Sequence, residues 1–174
     1  MPTTEPISGV VVRVILPGAL GRARRRHDVA AASGVPAHVT LLFPFLPVAQ
    51  LEPHVRWELA EIAGGIAPFE VRFADVGRFP GVVYLRPEPA APFARLTASI
   101  VAQFPDYPPY GGAYLEVVPH LTLAESGEAP LDAIAVAAKR SLPFTRHVSA
   151  IDLLTEDGAG RWHRHWRIPL GVRP

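Results

Sequence analysis

Two short stretches of this chain carry residue types suited to proton chemistry on a phosphate. His38-Val39-Thr40-Leu41 lies near the start and His120-Leu121-Thr122-Leu123 past the middle, each close behind a proline, Pro36 and Pro119. In an extended strand successive side chains alternate between faces, so His and Thr share one face and the apolar pair anchors the other. An imidazole titrates near ~6.5 and can take or give a proton at neutral pH. Opening a cyclic phosphodiester, or moving a phosphoryl group between ribose hydroxyls, needs one proton removed from the nucleophile and one delivered to the leaving oxygen. His38 and His120 suit those two jobs. The hydroxyls of Thr40 and Thr122 are the right length to donate hydrogen bonds to the non-bridging oxygens, where charge gathers in the transition state. The chemistry requires no metal, no cofactor and no covalent intermediate.

Competing catalytic sets are missing from the sequence. The chain has no cysteine, which excludes disulfides, thiolate metal sites and a Cys nucleophile. There is no Gly-rich phosphate loop, and no carboxylate accompanies the paired histidines as a Ser–His–Asp enzyme would need. His163 and His165 point the same way along a strand and form a candidate metal pair. No third ligand stands near them, and a solvated edge strand accounts for them equally well. His54 sits among charged neighbours on a helix and reads as a surface residue. By strand parity Tyr84 and Arg86 share a face, so Tyr84 is a candidate to stack a base or sugar and Arg86 to meet a phosphate. Phe43 points away from the histidines by the same parity and is assigned to the core. Arg22, Arg24, Arg25 and Arg26 read as a solvated helical face, the alternative being a phosphate-steering patch at the pocket mouth.

The elements that must position these residues follow from periodicity. A Val- and Ile-rich strand over residues 7–16 ends at Pro17-Gly18, and a helix over 19–32 closes at Ser33-Gly34. The strand over 38–45 places Val39, Leu41, Phe43 and Phe45 on one buried face. An amphipathic helix over 48–63 is stopped by Gly64-Gly65, followed by strands at 69–74 and 82–86 and a helix over 92–104. A strand over 114–124 and a helix over 131–140 come next. Two long strands, 144–154 and 162–170, close the chain around a turn at 156–160. In the last strand Trp162, Trp166, Ile168 and Leu170 form one face, and Arg161, His163, His165 and Arg167 the other. This order is a mixed α+β pattern. The halves look loosely alike and no linker separates them, so residues 1–174 read as a single bilobed domain.

Composition narrows the partners. Seventeen Lys and Arg against sixteen Asp and Glu leave a net charge of +1, too little for a dedicated duplex-DNA binder but compatible with a small anionic substrate. The apolar runs fall short of the ~20 residues that span a bilayer. Met1-Pro2-Thr3-Thr4-Glu5-Pro6 lacks the basic region and apolar core of a signal peptide. A cytoplasmic monomer without membrane association is the expectation.

The tandem motifs, with Pro-Ala-His-Val-Thr-Leu-Leu-Phe-Pro-Phe at 36–45 and Pro-His-Leu-Thr-Leu at 119–123, resemble the 2H phosphoesterase superfamily, and within it the 2′-5′ RNA ligase branch. The resemblance implies a pseudo-twofold α+β fold, with two antiparallel sheets lining a central cleft and helices on the outside. It also implies metal-independent chemistry on 2′,3′-cyclic nucleotides or RNA phosphodiesters, with reversible ligation as a side activity. His38 and His120 would be the acid/base pair, and Thr40 and Thr122 the phosphate clamps. The expected partner is a small nucleotide or an RNA terminus bearing a cyclic phosphate. A non-catalytic nucleotide- or RNA-binding module using the same cleft is the alternative.

Overall fold

The computed structural model describes residues 5–125 and 129–174. Residues 1–4, which open the stretch read against a signal peptide, lie outside it. Eight strands and five α-helices are described. The strands are β1 (Ser8–Arg13), β2 (His38–Leu42), β3 (Phe69–Phe79), β4 (Val82–Glu88), β5 (Leu121–Glu125), β6 (Phe144–Val148), β7 (Ala150–Glu156) and β8 (Trp162–Pro169). The helices are α1 (Gly18–His27), α2 (Val29–Ala32), α3 (Pro53–Gly64), α4 (Ala91–Gln103) and α5 (Leu131–Lys139). The strands form two four-stranded sheets, ordered β2-β1-β7-β8 and β5-β4-β3-β6, and every pairing is antiparallel.

The two orders correspond strand for strand. Each sheet has a motif strand at one edge, β2 or β5, and these two edges lie against each other. The chain reaches this symmetry by interleaving rather than by repeating. The long strand expected over 144–154 breaks at Ser149, with β6 in one sheet and β7 in the other, so the first sheet takes strands from both ends of the chain. Local alternation looks the same on both sides of such a crossing, which is why periodicity alone does not reveal it.

Burial follows the apolar faces. Val10, Val12, Val39, Phe73, Val83, Leu85, Leu121 and Leu123 are fully buried, together with Leu59 of α3 and Phe93, Leu96 and Ile100 of α4. Each such side chain contributes roughly 1.5–3 kcal/mol relative to exposure. Several elements differ in extent from the sequence reading. The helix over 19–32 is two helices, because Asp28 leaves helical geometry and its carboxylate accepts from the Ala30 amide (3.0 Å), capping α2. The helix over 48–63 becomes a single 3₁₀ turn and then α3, which begins on Pro53, where a missing N–H costs nothing. The strand over 114–124 starts only at Leu121, two residues after Pro119, which has no N–H for a ladder, so His120 stands just before the strand. Among the described residues no helix is long and apolar enough to cross a membrane.

Candidate functional site

Both motif strands carry a β-bulge at the same place. In β2, His38, Val39 and Thr40 pair with Arg13, Val12 and Val11, and the next pair is Leu42 with Val10, so Leu41 is the extra residue. In β5, Leu121 and Thr122 pair with Leu85 and Tyr84, and the next pair is Ala124 with Val83, so Leu123 is the extra one. A bulge shifts the parity of everything beyond it by one residue. The first bulge is pinned from α4, where the Thr97 hydroxyl donates to the Leu41 carbonyl at 3.0 Å.

The shifted parity corrects the placement of Phe43. Its ring is 37 % exposed rather than core, and lines a cavity of about 220 Å³ together with His38 and Thr40. Pro44 also ends the strand there, since it has no N–H to donate. A bulge at His165 does the same in β8: Leu154 pairs with Arg164, and Leu153 with Trp166. Trp162 therefore leaves the face of Trp166, which packs on the core, and meets Phe43 edge to face at 5.8 Å across the cavity. Gly9 forms the floor. A Cβ at Gly9 would stand 3.1 Å from the Phe43 ring, so glycine lets the ring lie down.

The two histidines are held alike. His38 Nδ1 lies 2.7 Å from the Pro36 carbonyl and His120 Nδ1 lies 2.7 Å from the Val118 carbonyl. A carbonyl only accepts, so each Nδ1 carries the proton and donates, and each Nε2 is left for chemistry. His38 Nε2 is 3.1 Å from the Thr40 hydroxyl. Burial pulls the His38 pKa down to about 4 against the pull of the Pro36 hydrogen bond, and the charges of Arg24 and His120 lower it further. His38 is therefore neutral at pH 7, and its Nε2 lone pair accepts from the Thr40 hydroxyl. The charge of His120 reaches His38 across the contact between β2 and β5.

His120 rests against aromatic rings, with Phe79 at 5.1 Å and Tyr84 at 5.4 Å, both edge-on. Tyr84 is only 3 % exposed and stacks on Phe79 at 4.4 Å. It serves as a wall for His120, with little ring surface left to stack a base. The Tyr84 ring lies directly over Gly77, where any side chain would collide with it. Gly77→Ala is therefore expected to displace Tyr84, to destabilise the fold by about 1–3 kcal/mol, and to lower activity by loosening His120. Denaturation midpoints and turnover measured on one preparation check this, and a variant unchanged in both would contradict it. Arg86 is exposed, stands 3.8 Å from Asp75, and holds its guanidinium 5.8 Å from the Tyr84 ring centre. It lines a groove with Arg78 and Lys139, outside the His38 cavity.

Two further residues reach the site without a signal in the motifs. Arg24, expected on a solvated or steering face, is 5 % exposed: it pairs with Asp28 (2.9 Å) and donates to the Val35 carbonyl (2.9 Å). It thereby braces the turn before Pro36 and places a positive charge near His38. The other is Tyr110, with φ of 53°, the one non-glycine residue among the described residues in the left-handed region. That conformation costs roughly 1–2 kcal/mol and is held by the Tyr110 amide donating to the Phe43 carbonyl at 2.6 Å. Its phenol stands beside Thr40. Burial pushes the phenol pKa up, the Thr40 hydrogen bond opposes this, and Tyr114 and Glu125 add to the rise. A non-glycine residue before Gly111-Gly112 was the only hint in the sequence. His54 is exposed beside Glu52, and His163 is exposed and pairs with Asp157 at 3.2 Å. Among the described residues no three or more metal-ligating side chains are grouped.

Comparison with known proteins bears on the family and the fold. The sequence profile of a family described as the 2′-5′ RNA ligase superfamily matches residues 15–160. Similar solved structures include TT0787 of Thermus thermophilus, at 22 % identity and a TM-score of 0.61, covering 97 % of this chain and 100 % of that one. E. coli LigT complexed with 3′-AMP is 19 % identical with a TM-score of 0.55, covering 95 % and 99 %. A structure described as a phosphoesterase is 17 % identical with a TM-score of 0.52, covering 94 % and 98 %. At these identities the structural likeness speaks for the fold. Among curated proteins, none matches the chain.

Proposed function

Since the chain belongs to the 2′-5′ RNA ligase superfamily, a family of phosphoesterase and ligase enzymes, we propose that it opens 2′,3′-cyclic phosphates by metal-independent acid/base catalysis. The observation that carries this reading is the matched pair of imidazoles, each with Nδ1–H donated to a carbonyl and Nε2 left for the substrate. His38, neutral and half-buried, is the general base: its Nε2 takes a proton from the attacking water. The water oxygen bonds to phosphorus, the bond from phosphorus to one ribose oxygen breaks, and His120 Nε2 gives that oxygen its proton. With the hydroxyl of a second RNA end in place of water, the same transfers in the same direction form a phosphodiester and join the ends, and their reversal closes the cyclic phosphate again, which is the ligase side of the reading.

Thr40 and Thr122 donate to the non-bridging oxygens. The Thr40 hydroxyl lies against His38 Nε2, so an entering phosphate must turn it away and thereby free the base. The Tyr110 phenol beside Thr40 then positions that hydroxyl. Tyr110→Phe is expected to lower kcat about 10- to 100-fold with an unchanged melting temperature. An unchanged kcat would remove Tyr110 from the mechanism.

The substrate class follows from the cavity beside His38. Its floor of Gly9, Val11 and Leu154 and its walls of Phe43 and Trp162 suit a flat base, and Ser33 is its one polar group besides His38 and Thr40. A small nucleotide or an RNA end fits, with weak discrimination among bases. The deciding experiment is a screen of 2′,3′-cyclic nucleotides and cyclic-phosphate RNA ends in the presence of EDTA, with the product phosphate located by NMR. Binding of nucleoside monophosphates without turnover of any cyclic phosphate would instead favour a non-catalytic nucleotide-binding module.

A further inference from the structure

We infer that Arg13, Arg164 and Arg167 form a second anion subsite on the cleft face of the first sheet, which takes a phosphate on the 5′ oxygen of the nucleoside being opened. This rests on the cyclic-phosphate reading of the His38 site. Register places the residues. Thr40, Val11, Asp152 and Arg167 stand in one row across β2, β1, β7 and β8, and Arg13 stands directly opposite His38. Facing residues in an antiparallel pair share a face, so this row continues the face of the catalytic Thr and His. Arg164 joins it beside Leu154 because of the His165 bulge.

At the centre lies Asp152, 1 % exposed, with one carboxylate oxygen 3.4 Å from Arg167 Nη1 and the other without a partner. Burial raises its pKa while the charges of Arg167, Arg164 and Arg13 all pull it down, in keeping with the shared face that the register gives them. One buried carboxylate under three guanidiniums leaves two positive charges facing the cleft, in a chain whose net charge is only +1. Arg13 and Arg164 are exposed, and among the described residues neither makes a direct ion pair.

The chemistry selects phosphate. A guanidinium presents a planar fork that matches phosphate oxygens. Arg13 stands one strand spacing from His38, roughly 5 Å, and Asp152 two from Thr40, roughly 10 Å, a range that brackets the separation of successive phosphates along a nucleotide chain. With the cyclic phosphate at His38 and Thr40 and the base over Gly9 and Leu154, the 5′ oxygen is the substituent left to point along this row. The occupant is thus the phosphate that precedes the terminal nucleoside in an RNA strand.

The test compares kcat/KM for adenosine 2′,3′-cyclic phosphate, the same compound phosphorylated on its 5′ oxygen, and a dinucleotide ending in a cyclic phosphate. The two substrates with a 5′ phosphate should be opened about tenfold more efficiently at low salt, with the advantage shrinking as salt rises. A larger gain for the dinucleotide than for the 5′-phosphorylated nucleoside marks an RNA strand as the source. Arg13→Ala with Arg164→Ala keeps the direct partner of Asp152 and should bring the ratio near one. Equal efficiency on all three substrates in the wild type, or an equal loss on all three in the variant, overturns the subsite. Should no cyclic phosphate be opened at all, the catalytic reading fails and calorimetry decides the subsite separately. Adenosine 3′,5′-bisphosphate should then bind tighter than 3′-AMP to the wild type and no tighter to the variant, and equal binding to the wild type overturns it.

Discussion

His38→Ala and His120→Ala are each expected to lower turnover of a 2′,3′-cyclic phosphate by about 10²–10⁴-fold, with the fold retained. Both side chains are half-buried and lie outside the core, and the apolar residues behind them, Val39 and Leu121, are the ones fully buried. Truncating an imidazole removes one proton-transfer group and leaves the Thr40 and Thr122 donors in place. The losses should not add in the double variant, because a base without its acid partner gains little. Circular dichroism and kcat on protein free of contaminating ribonuclease check this. Near-normal activity in either variant would end the two-histidine mechanism, and loss of activity with EDTA would point to a metal instead.

The second large effect is on stability, and its sign is set by the lowered His38 pKa. In the unfolded chain this imidazole titrates near ~6.5, while in the fold burial holds it to about 4, with Arg24 and His120 contributing. Well above ~6.5 both states are neutral and His38 costs nothing. As pH falls from there, the unfolded state binds a proton that the folded state refuses, so stability falls and the loss is complete below a pH of about 4. Its size is up to about 3 kcal/mol. Urea denaturation of the wild type and His38→Gln between about pH 7 and pH 4 should show the wild type losing more by that amount. Parallel curves would mean that His38 takes up its proton in the fold at the same pH as in the unfolded chain. The same low value leaves the base competent well below neutrality, so the acid limb of kcat/KM should not fall near ~6.5 on account of His38.

Much of the site was legible in the chain itself. The His-X-Thr pairs, their apolar backing and the prolines before them are local features, and strand alternation depends only on neighbours along the sequence. The surface placement of His54 was legible for the same reason. Residues brought in from a distance were not. Tyr110 arrives from a loop and Arg24 from the inner face of a helix that reads as four exposed arginines, and neither position has a periodic signature.

Parity errors have one common cause. Phe43 and Trp162 were assigned by unbroken alternation, and each lies beside a bulge whose existence depends on the partner strand, β1 for one and β7 for the other. The sequence by itself determined which atoms can move protons and which side chains back them, because chemistry and short-range pattern reside in the residues. Only the tertiary structure decided that edges β2 and β5 meet, that His38 is neutral, and that two aromatic rings wall a cavity beside it. Those outcomes depend on strand register, on burial and on charges brought from other elements, and no one of these is a property of the segment it acts on.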